Sequence, residues 1–378
     1  IVRYPLSIVR YQLSIVHYPL SIVHCPLSII NSSLSIVNCP LITIFATQIF
    51  ETMAKVIGLG NALVDIMTVI DSDNVLEKLN LPKGSMQLVD SELSEKIQLE
   101  TSAFPRTMAS GGSAANTIRS LANMGIETGY VGKIGPDEVG DFFASDMKRT
   151  GVLPRLIKSE TPSGRAVALV SQDSERTFAT YLGAAAEMTA DDINATTFLG
   201  YDILHVEGYL IINHELIEKA MSLAKENGLK VSLDLASYNV VEENLEFLRY
   251  LIEKYVDIVF ANEEEAAAFT DGKDPEAALD MISTLCDIAV VKIGKHGAWV
   301  KHGNYKDLEP EFPAKRVDTT AAGDNFAAGF IYGLVNNWSL DKCVMAGNII
   351  AGNVIEVVGA TMDAKRWTRI KDEIAKLA

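Results

Sequence analysis

The sequence predicts an α/β fold: a mostly parallel sheet covered by helices on both faces, with a smaller β-sheet set over its mouth. Three observations carry that expectation. Short, near-continuous runs of Val, Ile and Leu alternate with helix-length segments from residue 56 onward, as strands buried on both faces require. Residues 165–182 break the alternation with two strand-like runs around a polar turn. From residue 323 to the end the pattern becomes mainly helical. The composition of the 378 residues agrees, since 48% apolar and 22% charged residues are ordinary for a globular chain and leave no long disordered tract.

In order, VIGLG (56–60) reads as a buried strand, and DIMTVID (65–71) and SMQLVD (85–90) as short strands without crossover helices of normal length. Residues 113–124 form a helix, TGYVGKIG (128–135) a strand and turn, and 137–149 a helix. The hairpin 165–182 turns at Gln172–Glu175 and completes the small sheet. DILHVEG (202–208), KVSLDLA (230–236), DIVFAN (257–262) and DIAVVKIG (287–294) are further strands, separated by helices at 213–227, 241–254 and 275–285. A small sheet beside the strands' carboxyl ends, where open α/β sheets bind ligands, is expected to act as a lid.

Residues 1–40 are different. They repeat every seven, with serines at 7, 14, 21, 28 and 35, and prolines at 5, 19, 26 and 40 remove amide donors that a coiled coil needs. No apolar run approaches the ~20 residues that span a bilayer, and no basic segment precedes a small-residue cleavage site. Residues 1–52 are therefore expected to be a tandem repeat read through in frame, disordered or foreign to the native protein, with one domain from Met53 to Ala378.

Acidic residues outnumber basic ones 49 to 33, a formal charge of −16 that repels nucleic-acid backbones and anionic membranes. Four cysteines without C-x-x-C spacing suggest a reducing, cytoplasmic compartment and no structural zinc.

The strongest chemical signal is VDTTAAGDNFAAGF, 317–330. Ala321, Ala322 and Gly323 precede Asp324 at the start of a helix, where the first amides lack intrahelical acceptors and carry the positive end of the macrodipole. Small side chains let an oxyanion approach those N–H groups, and Asp324 beside them can accept a hydroxyl proton. Spacing alone equally allows a capped helix packed closely through small residues.

Gly111 and Gly112 end a loop in SGGSAANTIRSLANMG (110–125), where Ser113 can cap the next helix and Asn116 can hold a polyhydroxylated ligand. GLGNALVD has Leu63 where a dinucleotide fingerprint needs its third glycine, so Asn61 and Asp65 suit sugar hydroxyls better. No G-x-x-x-x-G-K-[ST] loop occurs. Asn262 and Glu265 follow a strand and can support a magnesium–water cluster, although an acidic first turn of a helix is the plainer account. KIGKHGAW (292–299) places Gly294 and Gly297 in a turn that admits a flat base or simply closes a hairpin. The histidines show no metal-ligand spacing.

In this order the motifs resemble the ribokinase-like (PfkB-type) family of carbohydrate and nucleoside kinases, over about 56–362. The resemblance rests on GGSAAN…GxxGxDxxG, from Gly111 through Gly140, and DTTAAGD, from Asp318 through Asp324. It implies a ribokinase-like three-layer fold with a β lid, and ATP- and Mg2+-dependent phosphorylation of a hydroxymethyl group. Asp324 then looks like the catalytic base, with Ala321, Ala322 and Gly323 forming the anion hole. Asn61, Asp65, Gly111, Gly112, Asn116 and Glu207 match substrate-contacting positions. Asn262, Glu265, Lys292, Gly294, Gly297 and Asn348 match the nucleotide side, with Glu265 supporting magnesium through water. Asp318 and Thr320 fall where some members bind K+. Lys292 stands where ribokinases usually carry threonine, and a lysine there can meet a phosphate. The Asn61–Asp65 segment is more similar to adenosine kinases and GGSAAN to sugar kinases, so adenosine, ribose, fructose and ketodeoxygluconate all stay open as acceptors. A nicotinamide oxidoreductase and a non-catalytic sugar or nucleoside sensor are the rival classes. The lid's edges can pair with a second copy, the expected route to a homodimer.

Overall fold

The structure is a computed structural model that describes residues 54–377 apart from Ser174. The repeat segment 1–52 lies outside the described residues. Fourteen strands follow in chain order: β1 (Val56–Leu59), β2 (Leu63–Val69), β3 (Met86–Leu88), β4 (Arg106–Gly111), β5 (Thr128–Ile134), β6 (Val152–Lys158), β7 (Gly164–Val170), β8 (Arg176–Tyr181), β9 (Ile203–Glu207), β10 (Lys230–Asp234), β11 (Ile258–Asn262), β12 (Ile288–Lys292), β13 (Ala298–His302) and β14 (Tyr305–Glu309).

Nine of them form one sheet in the order β14-β13-β12-β11-β10-β9-β1-β5-β6. Pairing is parallel from β6 across to β12, and antiparallel only at the β12–β13–β14 edge. The apolar runs are continuous because both faces are covered. Val56, Ile258 and Phe260 enter one core with Ile118, Phe326 and Phe330, whereas Ile57, Leu59, Val259 and Ala261 enter a second core with Ile217, Leu248 and Leu279. Each fully buried aliphatic or phenyl side chain contributes about 1.5–3 kcal/mol by leaving water, so two such layers hold the sheet rigid beneath its carboxyl edge. These are the three layers that the sequence pattern implies.

The second sheet has the order β3-β8-β7-β2-β4. β2, β3 and the β7–β8 hairpin correspond to the expected lid segments, while β4 was not expected. Two connections tie this sheet to the large one. The central strand β1 passes into β2 through Gly60-Asn61-Ala62, and β4 runs through Gly112 into the helix Ser113–Asn123. Both segments of the resemblance that lie near the substrate side are therefore junctions between the sheets. β6 was also not expected: it carries Pro154 and pairs only with β5, at the sheet edge where a missing amide donor is tolerated. The helix expected over 241–254 is two, Tyr238–Glu243 and Leu245–Tyr255, separated at Asn244. No helix among the described residues is long and apolar enough to cross a membrane.

Candidate active site

Strands β10, β11 and β12 end at Asp234, Asn262 and Lys292, and all three residues line a cavity of about 720 Å3. Met86 and Phe178 of the small sheet line it too, as does the whole stretch Thr319–Asp324. Position follows from topology: parallel strands deliver their carboxyl ends to one edge of the sheet, and the lid covers that edge.

Asp324 lies in the first turn of the helix Ala322–Val335. Ser113 Oγ donates to its Oδ1 at 2.8 Å and Asn116 Nδ2 to its Oδ2 at 2.9 Å. Burial pushes its pKa up to about 6, against the pull of the Asn116 hydrogen bond. The two glycine-rich motifs of the sequence thus meet on one carboxylate. Ser113 does not cap its helix as expected; Gly112 occupies the N-cap with φ 97° and the Ser113 hydroxyl is spent on Asp324.

The turn before Asp324 is only partly free. Ala322 N donates to Thr319 O at 3.2 Å, so that amide is used internally. Among the described residues no acceptor is bonded to the amides of Ala321, Gly323 or Asp324. Ala321 has φ 59°, a left-handed conformation that an alanine adopts at a cost of order 1 kcal/mol, and such strain concentrates at functional sites. A Cβ on Gly323 would stand 3.0 Å from Lys292 Nζ, so glycine brings the backbone against the ammonium. Lys292 Nζ is 2.9 Å from Asp234 Oδ2. Burial opposes the charge on both, but Asp234 with Glu265 holds Lys292 above its ordinary value, and Lys292 with the Ala236 amide holds Asp234 below its own.

Asp65 also lines the cavity, and among the described residues nothing donates to its carboxylate. Burial raises its pKa to about 6, with Arg119 acting in the opposite sense. A Cβ on Gly111 would overlap that carboxylate, which explains the glycine. Beside Asp65 opens a pocket of about 250 Å3 between the small sheet and the segment 358–361. Its lining includes Ile66, Met67, Met108, Ala168, Phe178 and Val358, with Asp65, Thr107, Arg176, Thr320 and Thr361 as the polar members.

Several expected contacts are placed differently. Glu207 is 1% exposed and lines neither cavity; its carboxylate accepts from Asn61 N at 2.9 Å, Asn61 Nδ2 at 2.6 Å and Ala114 N at 3.1 Å. Asn61 and Glu207 therefore hold the β1–β2 junction to the Ser113 helix instead of facing a substrate, and burial raises Glu207 to about 7. Asn116 does line the cleft, but its amide donor is given to Asp324. Asn262 and Glu265 form a capping box: Asn262 N and Nδ2 donate to the Glu265 carboxylate and Glu265 N donates to Asn262 Oδ1. Each Glu265 oxygen takes one donor, and burial followed by Asp234 lifts its pKa to about 7. Both residues still line the cleft, so the spare lone pairs fit a water of a magnesium shell. Gly294 (φ 53°) and Asn348 line it as well, the latter donating to Pro310 O at 2.8 Å. Gly297 does not; φ 96° and a Cβ that would overlap Glu309 O make it the β12–β13 turn glycine.

Asp318 does not fit a potassium ion. Its Oδ1 accepts from Thr320 N (3.0 Å) and Thr320 Oγ1 (2.8 Å), and its Oδ2 from Gly359 N (2.6 Å) and Arg176. Four donors meet the roughly four lone-pair positions of a carboxylate. Arg176, Asp234 and the Ser113–Asp324 contact were not found from the sequence. Asp234 had a signal, since it is the last residue of KVSLD just as Asn262 ends IVFAN; the other two depend on tertiary contact and had none.

Among solved structures, this chain is similar to a probable sugar kinase from Rhizobium etli, with 33% identity, 86% of this chain and 100% of that one covered, and a TM-score of 0.76. An adenosine kinase from Sinorhizobium meliloti is 31% identical, with coverage of 85% and 100% and a TM-score of 0.74. A 5-dehydro-2-deoxygluconokinase from Geobacillus thermodenitrificans is 28% identical over 75% of this chain and 89% of its own. The model of the pfkB family carbohydrate kinases matches residues 88–367, from the small-sheet strand β3 through the whole 318–324 turn to the last helix. The chain belongs to the pfkB family of carbohydrate kinases and is a phosphotransferase with an alcohol group as acceptor.

Proposed function

We propose that the protein transfers the γ-phosphate of ATP to the primary hydroxyl of an adenosine-like nucleoside. The observation that carries this reading over a plain sugar is the apolar pocket beside Asp65. A free hexose has hydroxyls around its whole ring, and burying one of them unpartnered against Met67, Met108 and Phe178 costs about 1–3 kcal/mol. A nucleoside divides its polarity to suit the pocket: ribose hydroxyls toward the open carboxylate of Asp65, a flat base among methionines and a phenyl ring. Asp65, Phe178 and Thr320 line this pocket and the larger cleft alike, so an acceptor seated here reaches the turn at 319–324.

In the proposed reaction Asp324 takes the proton of the acceptor hydroxyl as the oxygen attacks the γ-phosphorus, the bond from that phosphorus to the β–γ bridging oxygen breaks, and ADP leaves. The free amides of Ala321, Gly323 and Asp324 stabilise the transferring oxyanions, with the Lys292 ammonium at Gly323 beside them. Asn116 and Ser113 hold the base, and Glu265 with Asn262 would support a magnesium ion, which would supply charge neutralisation to the triphosphate. Lid residues Met86 and Phe178 exclude water during transfer.

ADP release measured over adenosine, other nucleosides, ribose, fructose and 2-keto-3-deoxygluconate tests the proposal. A nucleoside should lead the sugars in kcat/KM, and Phe178→Ala should raise its KM. If ribose or a sugar acid leads the panel, the nucleoside reading is wrong; ATP and acceptor binding without any ADP release would leave only a sensor.

A further inference from the structure

Asp318 sits six residues before the proposed base and is only 8% exposed, so an uncompensated charge there would be costly. The compensation comes from the lid. Arg176 opens β8, and its guanidinium pairs with Asp318 Oδ2 while the backbone of Gly359 donates to the same oxygen. The other oxygen is held by Thr320, two residues along the same turn. Burial opposes ionisation of Asp318, but the Gly359, Thr320 and Arg176 hydrogen bonds outweigh it and keep the carboxyl below its ordinary range. A monovalent ion on Asp318 would have to displace the guanidinium and then share the space with it, cation against cation. Among the described residues this is the only ion pair joining the small sheet to the 318–324 turn.

We propose that Arg176 is the built-in cation of the anion turn: it takes the place on Asp318 that the family resemblance gives to potassium, so phosphotransfer needs no monovalent ion and the turn is assembled by the lid strand itself. The kinetic part of this proposal rests on the kinase reading above. Arg176 acts here as a positioning residue. Through Asp318 it fixes Thr320, and Thr320 leads directly into the strained Ala321 whose amide is free. Lid closure and completion of the anion hole become one event, because the strand that covers the cleft also carries the charge that orders the turn.

The test compares wild type with Arg176→Ala and Arg176→Lys in potassium, sodium and tetramethylammonium chloride at equal ionic strength, reading both ADP release and the thermal midpoint. Wild type should turn over alike in all three salts, within about twofold, with an unchanged midpoint. Arg176→Ala should lose about 10²-fold in kcat, the loss typical of a misplaced oxyanion donor. Millimolar guanidinium or potassium should restore its turnover more than tenfold, while Arg176→Lys should retain activity without an added ion. Potassium should also raise the midpoint of Arg176→Ala and leave wild type unmoved. Potassium activation of wild type, a wild-type midpoint raised by potassium, or an Arg176→Ala enzyme rescued by neither cation overturns the proposal. If no acceptor is turned over in any salt, the kinase reading fails instead, and the melting comparison still decides whether Asp318 takes potassium in the variant alone.

Discussion

Replacing Asp324 by Asn keeps the size of the side chain and removes its basicity. Ser113 Oγ can still donate to the remaining oxygen, and Asn116 can keep its contact by turning its amide so that Oδ1, which has no partner among the described residues, accepts from the introduced amide. The magnitude follows from the role. A pKa of about 6 leaves roughly 97% of the carboxylate ionised at pH 7.5, yet gives it a proton affinity about two units above an ordinary Asp. General-base catalysis of this kind is worth ~10²–10⁴ in rate, or about 3–5 kcal/mol of transition-state stabilisation. Asp324→Asn should lower kcat by that factor and leave ATP binding, measured by calorimetry, within about threefold of wild type. The pH profile supplies a sharper sign. Asp324 protonates near pH 6, as does Asp65, and Glu265 near pH 7, so wild-type kcat/KM should fall below those values, and Asp324→Asn should show a shallower acid limb in which Asp65 and Glu265 still titrate. A variant with wild-type kcat, or one whose acid limb stays as steep as in wild type, would refute the assignment.

Three further outcomes follow from the same contacts. Gly111→Ala puts a methyl into the Asp65 carboxylate, so acceptor KM should rise more than tenfold in steady-state kinetics with ATP KM unchanged. Glu207→Ala leaves the buried amides of Asn61 and Ala114 without an acceptor, at about 1–3 kcal/mol each, which chemical denaturation should report as a lower midpoint at constant slope. Lys292→Met strips Asp234 of its partner; ATP KM should rise strongly, and the Asp234 carboxyl should titrate at a higher pH than in wild type.

Six strands of the large sheet, β1, β5 and β9 to β12, were legible because they are buried and read as unbroken apolar runs, whereas β13 and β14 mix buried and exposed positions at the antiparallel edge and were not expected. Strand β4 escaped because Arg106 and Thr107 are exposed and its inner end is Ala109-Ser110-Gly111, a stretch with no β-branched or aromatic residue that reads as a loop before the helix. Edge strand β6 escaped through Pro154, which breaks an apolar run in sequence and costs nothing at the last position of a sheet. The site divides in the same way. Asp324, Gly323 and Gly112 were legible because their demands are local: a helix start, a close approach, a positive φ. Glu207 misled because sequence gives its chemistry but not its direction, and it points back into the β1–β2 junction.

That junction explains why the misplaced residues still matter to the site. Asn61, Glu207 and the start of the Ser113 helix are locked together beneath the lid's two attachments, β1 to β2 and β4 to Ser113. From the same helix start come Ser113 and Asn116, the two donors that orient Asp324. A buried carboxylate that lines neither cavity therefore sets the direction of Asp324, the proposed base. The chain from Glu207 to Ala114, along the helix to Asn116 and across to Asp324 consists of hydrogen bonds of 2.9–3.1 Å and a single rigid helix turn. Loss of Glu207 should on this account lower kcat as well as stability, whereas a purely structural residue would lower stability alone. Turnover of Glu207→Ala measured well below its melting temperature separates the two: an unchanged kcat would mean that the junction holds the lid without aiming the base.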